Sequence, residues 1–180
     1  DGLEKARLLC AEADIIVENF RPGKLAILGV DFAEMREARP ELITISLPGF
    51  ASNDMEKREQ RAFESIIAAS SGVFTDMGLN RVLMGLNPSF SPLPLASAYA
   101  SQIAASATVL ALQSRQITGL GDQIEVPLAA AVMEGLCYNS IKVENMPERY
   151  LTQREVEIER RRLEGLPMNL SYEDLQELLD

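Results

Sequence analysis

The stretch Ala13-Asp14-Ile15-Ile16-Val17-Glu18-Asn19-Phe20-Arg21-Pro22-Gly23 decides the fold. Ile15–Val17 is a short apolar run that reads as a buried strand. It passes directly into Asn-Phe-Arg-Pro-Gly, a turn that opens a helix, with Pro22 at the first helical turn. In open α/β sheets, ligands sit beyond the C-terminal ends of the strands. Asn19, Phe20 and Arg21 bring an amide, a ring and a guanidinium to that end. Such a set can stack on a base and hold a phosphate. The alternative is an ordinary strand-to-helix turn in which Phe20 is core packing.

The pattern repeats on both sides of this stretch. Leu3, Ala6, Leu8, Leu9 and Ala13 predict an amphipathic helix ending at Asp14. Residues 24–28 predict a helical turn closed by Gly29 in the C′ role. Asp31 is placed to cap a helix over Phe32–Ala38, with Pro40 after it. Leu42–Leu47 reads as a second buried strand, ended by Pro48-Gly49-Phe50. Residues 53–60 read as a charged loop or short exposed helix, 64–71 as a helix and 76–94 as loop. A long helix over 95–115, a strand over 123–126 and a helix over 128–141 complete the series, with Gly119 and Gly121 as turn glycines. Alternating strands and helices point to βαβ units and a parallel sheet.

Composition narrows the function. The chain has 180 residues, 47% of them hydrophobic, which is enough for one domain core at about 100–200 residues per domain. A net charge of −10 argues against nucleic acid and anionic membranes as partners. There is no histidine, so the sequence predicts neither a zinc site nor a Ser-His-Asp triad, and no metal is expected. Cys10 and Cys137 lie far apart in apolar helical contexts and read as buried free thiols of a reducing, cytoplasmic compartment.

Residues 95–114 carry no charge, long enough to raise the question of a membrane span. Ser97, Ser101, Gln102, Ser106, Thr108 and Gln113 make it too polar, and Ala96, Ala100, Ala104, Ala107 and Ala111 suit close packing. The expectation is a buried helix of a soluble domain. Beyond Val143 the chain turns densely charged. Arg160-Arg161-Arg162 reads as a solvated helix face paired with glutamates at helical spacing. Ser171-Tyr172-Glu173-Asp174 reads as a capping box. Residues 1–143 are expected to form one partial domain, and 144–180 a charged helical linker toward a second, mostly absent domain. Both ends read as mid-helix, as in a fragment of a longer protein.

Val17-Glu18-Asn19-Phe20-Arg21-Pro22-Gly23, with Leu28-Gly29-Val30, Arg39-Pro40-Glu41-Leu42-Ile43 and Ser46-Leu47-Pro48-Gly49-Phe50, resembles the class III CoA-transferase family of formyl-CoA transferase and carnitine-dehydratase-like enzymes. Arg61-Ala62-Phe63-Glu64, Ser71-Gly72, Thr118-Gly119-Leu120-Gly121 and Val126-Pro127-Leu128-Ala129-Ala130-Ala131 continue the resemblance in order. It implies an α/β fold, a Rossmann-like parallel sheet flanked by helices, here a large domain incomplete at both ends. It also implies coenzyme A thioesters and a small carboxylic acid as substrates. The family's assembly implies an interlocked homodimer, or a heterodimer with a related chain. Asn19, Phe20, Arg21, Arg61, Ala62 and Phe63 fall at positions that bind CoA in the family.

The family's nucleophile is an aspartate that attacks the acyl-CoA thioester, because a carboxylate's acyl adduct remains reactive. The resemblance puts that aspartate at the start of the long helix, where this chain has Ser97. There is no Asp or Glu between Asp76 and Asp122, so no shift of register supplies one. Glu64 is the nearest candidate carboxylate. A second departure is Ile27, where relatives carry a basic residue for a CoA phosphate, with Lys24 or Arg21 as candidates to compensate. Related racemases carry His at the Phe63 position and Asp at the Ser97 position, and two-base racemisation is not expected here. Four readings follow: an acyl-CoA:carboxylate CoA-transferase, a non-catalytic CoA-binding half or subunit of one, an isomerase, hydratase or lyase using Glu64 as base, and a nucleotide-binding or structural α/β module unrelated to CoA, which only the local signals favour.

Overall fold

Ile43-Thr44-Ile45 is a β-branched run with both faces covered, and this makes its strand the centre of the sheet. The computed structural model of the chain describes residues 2–76, 90–136, 144–145, 153–167, 173 and 176. β1 (Ile15–Glu18), β2 (Ile43–Ser46) and β3 (Gln123–Glu125) form a parallel sheet in that order. Register runs Ile15 to Ile43 and Glu18 to Ser46, then Thr44 to Gln123 and Ser46 to Glu125.

The helices are α1 (Gly2–Glu12), α2 (Lys24–Ile27), α3 (Phe32–Ala38), α4 (Glu64–Ser70), α5 (Val73–Asp76), α6 (Leu95–Thr118), α7 (Leu128–Gly135) and α8 (Gln153–Glu164). Local rules place their ends. Gly29, at φ +96°, follows the C-cap of α2. Asp31 caps α3 by accepting a bond from the Ala33 N–H at 2.8 Å.

Two units divide the chain. The first, residues 1–71 and 94–135, holds the sheet. Its core gathers Ile43 and Ile45 from β2, Ala100, Ala104 and Ala111 from α6, and Ala131 from α7. Helix α6 runs antiparallel to the strands. Its last turns reach back to the start of the sheet, where Arg115 Nη1 lies 3.4 Å from Asp14 Oδ1 and 3.3 Å from the Glu41 carbonyl oxygen. Its first turn therefore stands at the C-terminal edge of the strands. In the second unit, the Phe74 and Phe90 rings pack with centroids 5.3 Å apart. There α8 carries Arg160 paired with Glu157 and Glu164, both at 2.7 Å.

Several expectations need correction. The long helix is not buried all round. Ala96, Ala100, Ala104 and Ala111 bury one stripe, whereas Val109, Leu110 and Ile117 face outward. It is the one helix among the described residues long and apolar enough to span a bilayer, but its stripe of small residues packs on the sheet. In β1 only Ile16 is buried, and Val17 is 62% exposed, because β1 is the edge strand. Helix α1 stops at Glu12, and the Asp14 carbonyl instead accepts from the Ile43 N–H. Cys10 is a free thiol but only half-buried, since no residue of α1 is buried. Arg161 is buried, its Nη1 donating to the Pro167 carbonyl, so the arginine run is not wholly solvated. Cys137 and most of the Ser171–Asp174 stretch lie outside the described residues.

Candidate active site

Three loops meet at the C-terminal edge of the sheet. The first leaves β1 as Asn19-Phe20-Arg21-Pro22-Gly23. Its start is held by Glu18, whose Oε2 accepts from the Phe20 N–H at 2.5 Å. Arg21 Nη1 donates to the Glu59 carbonyl at 2.6 Å, and Lys24 Nζ pairs with the Glu59 carboxylate at 3.3 Å. Ile27, on the adjoining helix, is 76% exposed.

The second loop leaves β2 through Pro48-Gly49-Phe50 and is tied to α7 by its carbonyls. Pro48 and Gly49 accept from the N–H groups of Leu128 and Ala129. Gly49 is needed for close approach. A Cβ there would lie 1.9 Å from the Cβ of Ala62, inside any real contact. The third loop, Arg61-Ala62-Phe63, is thus pressed against the strand end. It leads into α4, with extended Phe63 as the N-cap residue.

Glu64 opens α4 and reaches across to the first turn of α6. Its Oε1 accepts from the Ala96 N–H at 2.8 Å. Its Oε2 accepts from the Ser97 N–H at 3.0 Å and from Ser97 Oγ at 2.5 Å. Pro94, the N-cap residue of α6, has no side-chain oxygen to offer. Glu64 therefore caps α6 from 33 residues away, its charge at the positive end of a 24-residue helix.

Two clefts open along this edge. One, of about 360 Å³, is lined by Glu18, Asn19, Gly49, Ala62, Ser97 and Ser101. The other, of about 230 Å³, is lined by Glu18, Phe20, Arg21, Ser46, Gln123 and Glu125, among others. The fold thus brings Asn19, Ala62 and Ser97 to one cleft, and Phe20 and Arg21 to the next. Arg61 and Phe63 lie on the adjoining loop, exposed, and line neither cleft. Among the described arginines of this unit, Arg61 alone has neither a hydrogen bond nor an ion pair, and its guanidinium is free for an anion. No group of three His, Cys, Asp or Glu side chains among the described residues is arranged to hold a metal.

Sequence reasoning passed over Glu18, which borders both clefts, and Gly49. Glu18 lies inside the diagnostic stretch, at the last position of the strand, and that place was the available signal. Gly49 carries a signal only once Ala62 is known to face it.

The sequence and the fold match those of known proteins. The family model described as CoA-transferase family III matches residues 1–163, and the chain belongs to that family. It is 60% identical over 179 residues to the CoA-transferase/lyase DddD of Marinomonas sp. (strain MWYL1), covering 99% of this chain and 21% of that protein. It is 27% identical to the succinyl-CoA–D-citramalate CoA-transferase of Chloroflexus aurantiacus over 74% of this chain and 32% of that enzyme. Among solved structures, a CAIB/BAIF family protein from Brucella suis superposes with a TM-score of 0.66 at 26% identity, over 77% of this chain and 36% of that one. Rv3272 from Mycobacterium tuberculosis gives 0.65 at 25% identity, over 77% and 37%. The chain thus spans about a fifth to a third of the length of these curated relatives and is a partial domain of the fold.

Proposed function

We propose that this chain is the CoA-thioester-binding part of a family III CoA-transferase whose covalent step is carried by a carboxylate elsewhere, in a second related domain or partner chain. One observation carries this reading. Glu64, the carboxylate nearest Ser97, has both oxygens committed to capping α6, and on the family resemblance Ser97 is expected at the place of the nucleophilic aspartate. A carboxylate that accepts three hydrogen bonds has most of its lone-pair sites engaged, which lowers its nucleophilicity. Serine does not substitute simply, since its acyl ester lacks the reactivity of an anhydride. The Asn19–Arg21 turn, the free Arg61 and the two adjoining clefts support the binding role.

The relatives' lengths support a second copy. The aligned 179 residues are 21% of DddD, whereas 136 residues are 32% of the citramalate transferase, so the former is about twice as long. The expected substrates are an acyl-CoA and a small carboxylic acid, and the expected setting is the cytoplasm.

Ser97 Oγ, 2.5 Å from Glu64 Oε2, favours a second reading. A serine bonded to a carboxylate can act as a nucleophile with its base, or the pair can serve a lyase or isomerase.

The test uses the full-length protein. CoA binding is measured by calorimetry, and the protein is then incubated with acyl-CoA, with and without hydroxylamine, and mapped by mass spectrometry; an activated Glu64 keeps a hydroxamate, whereas an acyl-Ser97 ester is seen only before hydroxylamine releases its acyl group. The proposal expects CoA binding with no adduct on Glu64 or Ser97. An acyl adduct on Ser97 establishes the second reading, an adduct on Glu64 overturns the proposal by making Glu64 the nucleophile, and absence of CoA binding removes both readings.

A further inference from the structure

Glu18, Ser46 and Glu125 lie side by side in register, one from each strand, across the C-terminal edge of the sheet. Residues in register share a face, and all three line the 230 Å³ cleft beside Phe20 and Arg21. The two outer members do the same thing. Glu18 Oε2 accepts from the Phe20 N–H at 2.5 Å, and Glu125 Oε1 accepts from the Ser52 N–H at 2.9 Å. Phe20 begins the loop after β1, and Ser52 lies in the loop after β2. Neither carboxylate has an ion-pair partner among the described residues.

We propose that Glu18 and Glu125 are positioning residues for thioester binding: in-register carboxylates at the sheet edge that hold the two loops framing the clefts. The inference rests on the reading that this chain binds CoA thioesters. Loop amides beyond a strand end have no ladder partner, and an unmatched N–H leaves the loop free to sample other conformations. A charged acceptor is the stronger kind of hydrogen-bond partner. Glu18 orders the turn that carries Asn19, Phe20 and Arg21. Glu125 reaches from β3 to the neighbouring strand's loop, which passes Gly49 and packs on Ala62. The acceptor oxygen is what matters, so an amide in place of the carboxylate keeps much of the effect.

The experiment compares Glu18→Ala, Glu18→Gln, Glu125→Ala and Glu125→Gln in the full-length protein. CoA affinity is read by calorimetry, and amide exchange is read at residues 20–21 and 52–54. Each alanine variant is expected to weaken CoA binding by about tenfold and to speed exchange in its own loop. Each glutamine variant is expected to stay within about threefold of the parent protein in both readouts. Alanine variants that match the parent overturn the proposal. So do glutamine variants as impaired as the alanines, because charge rather than hydrogen bonding would then be responsible. If the parent protein fails to bind CoA, the function proposed above falls. The exchange arms still decide whether the carboxylates hold the loops.

Discussion

Glu64 and Ser97 are joined by two hydrogen bonds, one from the backbone N–H of Ser97 and one from its Oγ, across 33 residues of sequence. With the further bond from Ala96, this carboxylate supplies the cap that α6 cannot make from its own Pro94. The residue nearest to the expected chemistry is therefore also a structural anchor, and the two roles separate by mutation.

Glu64→Ala should loosen the start of α6. Loss of an N-cap acceptor costs about 1 kcal/mol. That corresponds to amide exchange faster by about fivefold to tenfold at Ala96 and Ser97. Glu64→Gln keeps an acceptor oxygen and should show a smaller change. Equal exchange in all three proteins would mean that the cap contributes nothing.

Ser97→Ala removes only the hydroxyl, because the backbone N–H remains bonded to Glu64. CoA affinity should change by less than about threefold, the effect of one hydrogen bond at an exposed site. Complete loss of turnover in the full-length protein would instead assign Ser97 to the covalent step.

Gly49→Ala places a methyl 1.9 Å from the Ala62 Cβ. Overpacking of this kind costs about 1–3 kcal/mol, and here the loop before α4 must move. Thermal melting should fall, and CoA affinity should fall with it. An unchanged melting temperature would show that the third loop is not pressed on the strand end.

Ile27→Arg tests the missing cation. Ile27 is 76% exposed, so the substitution disturbs little packing. A surface cation near a phosphate should raise CoA affinity by about twofold to fivefold, with the gain lost at high salt. No gain at low salt would separate this position from the ligand's phosphates.

Hydrogen bonds from Arg160, then Arg161, hold the Glu157 carboxyl at about 2, below its usual 4.5. A depressed value stabilises the folded helix above about pH 4.5, and that contribution is lost as pH falls from there toward 2. Carboxyl titration by NMR should show this. Arg160→Ala should move the value back toward the usual one.

The candidate site was legible in parts. Asn19, Phe20 and Arg21 stood out because a strand end followed by Asn-Phe-Arg-Pro-Gly is a local pattern. The same local logic placed Asp31 at its cap and Gly29 at its stop. Nothing local connected Glu64 with Ser97 through an actual bond, or distinguished Glu125 from other surface glutamates.

The alternation of strands and helices, the burial of the second strand and the absence of a carboxylate from 77 to 121 were determined by the sequence alone, because each depends on residues close along the chain. Which face of α6 is covered, the row Glu18–Ser46–Glu125 and the capping of α6 by Glu64 were decided by tertiary structure. Strand register and helix docking bring together groups tens of residues apart, and such contacts leave no periodicity in the residues between them.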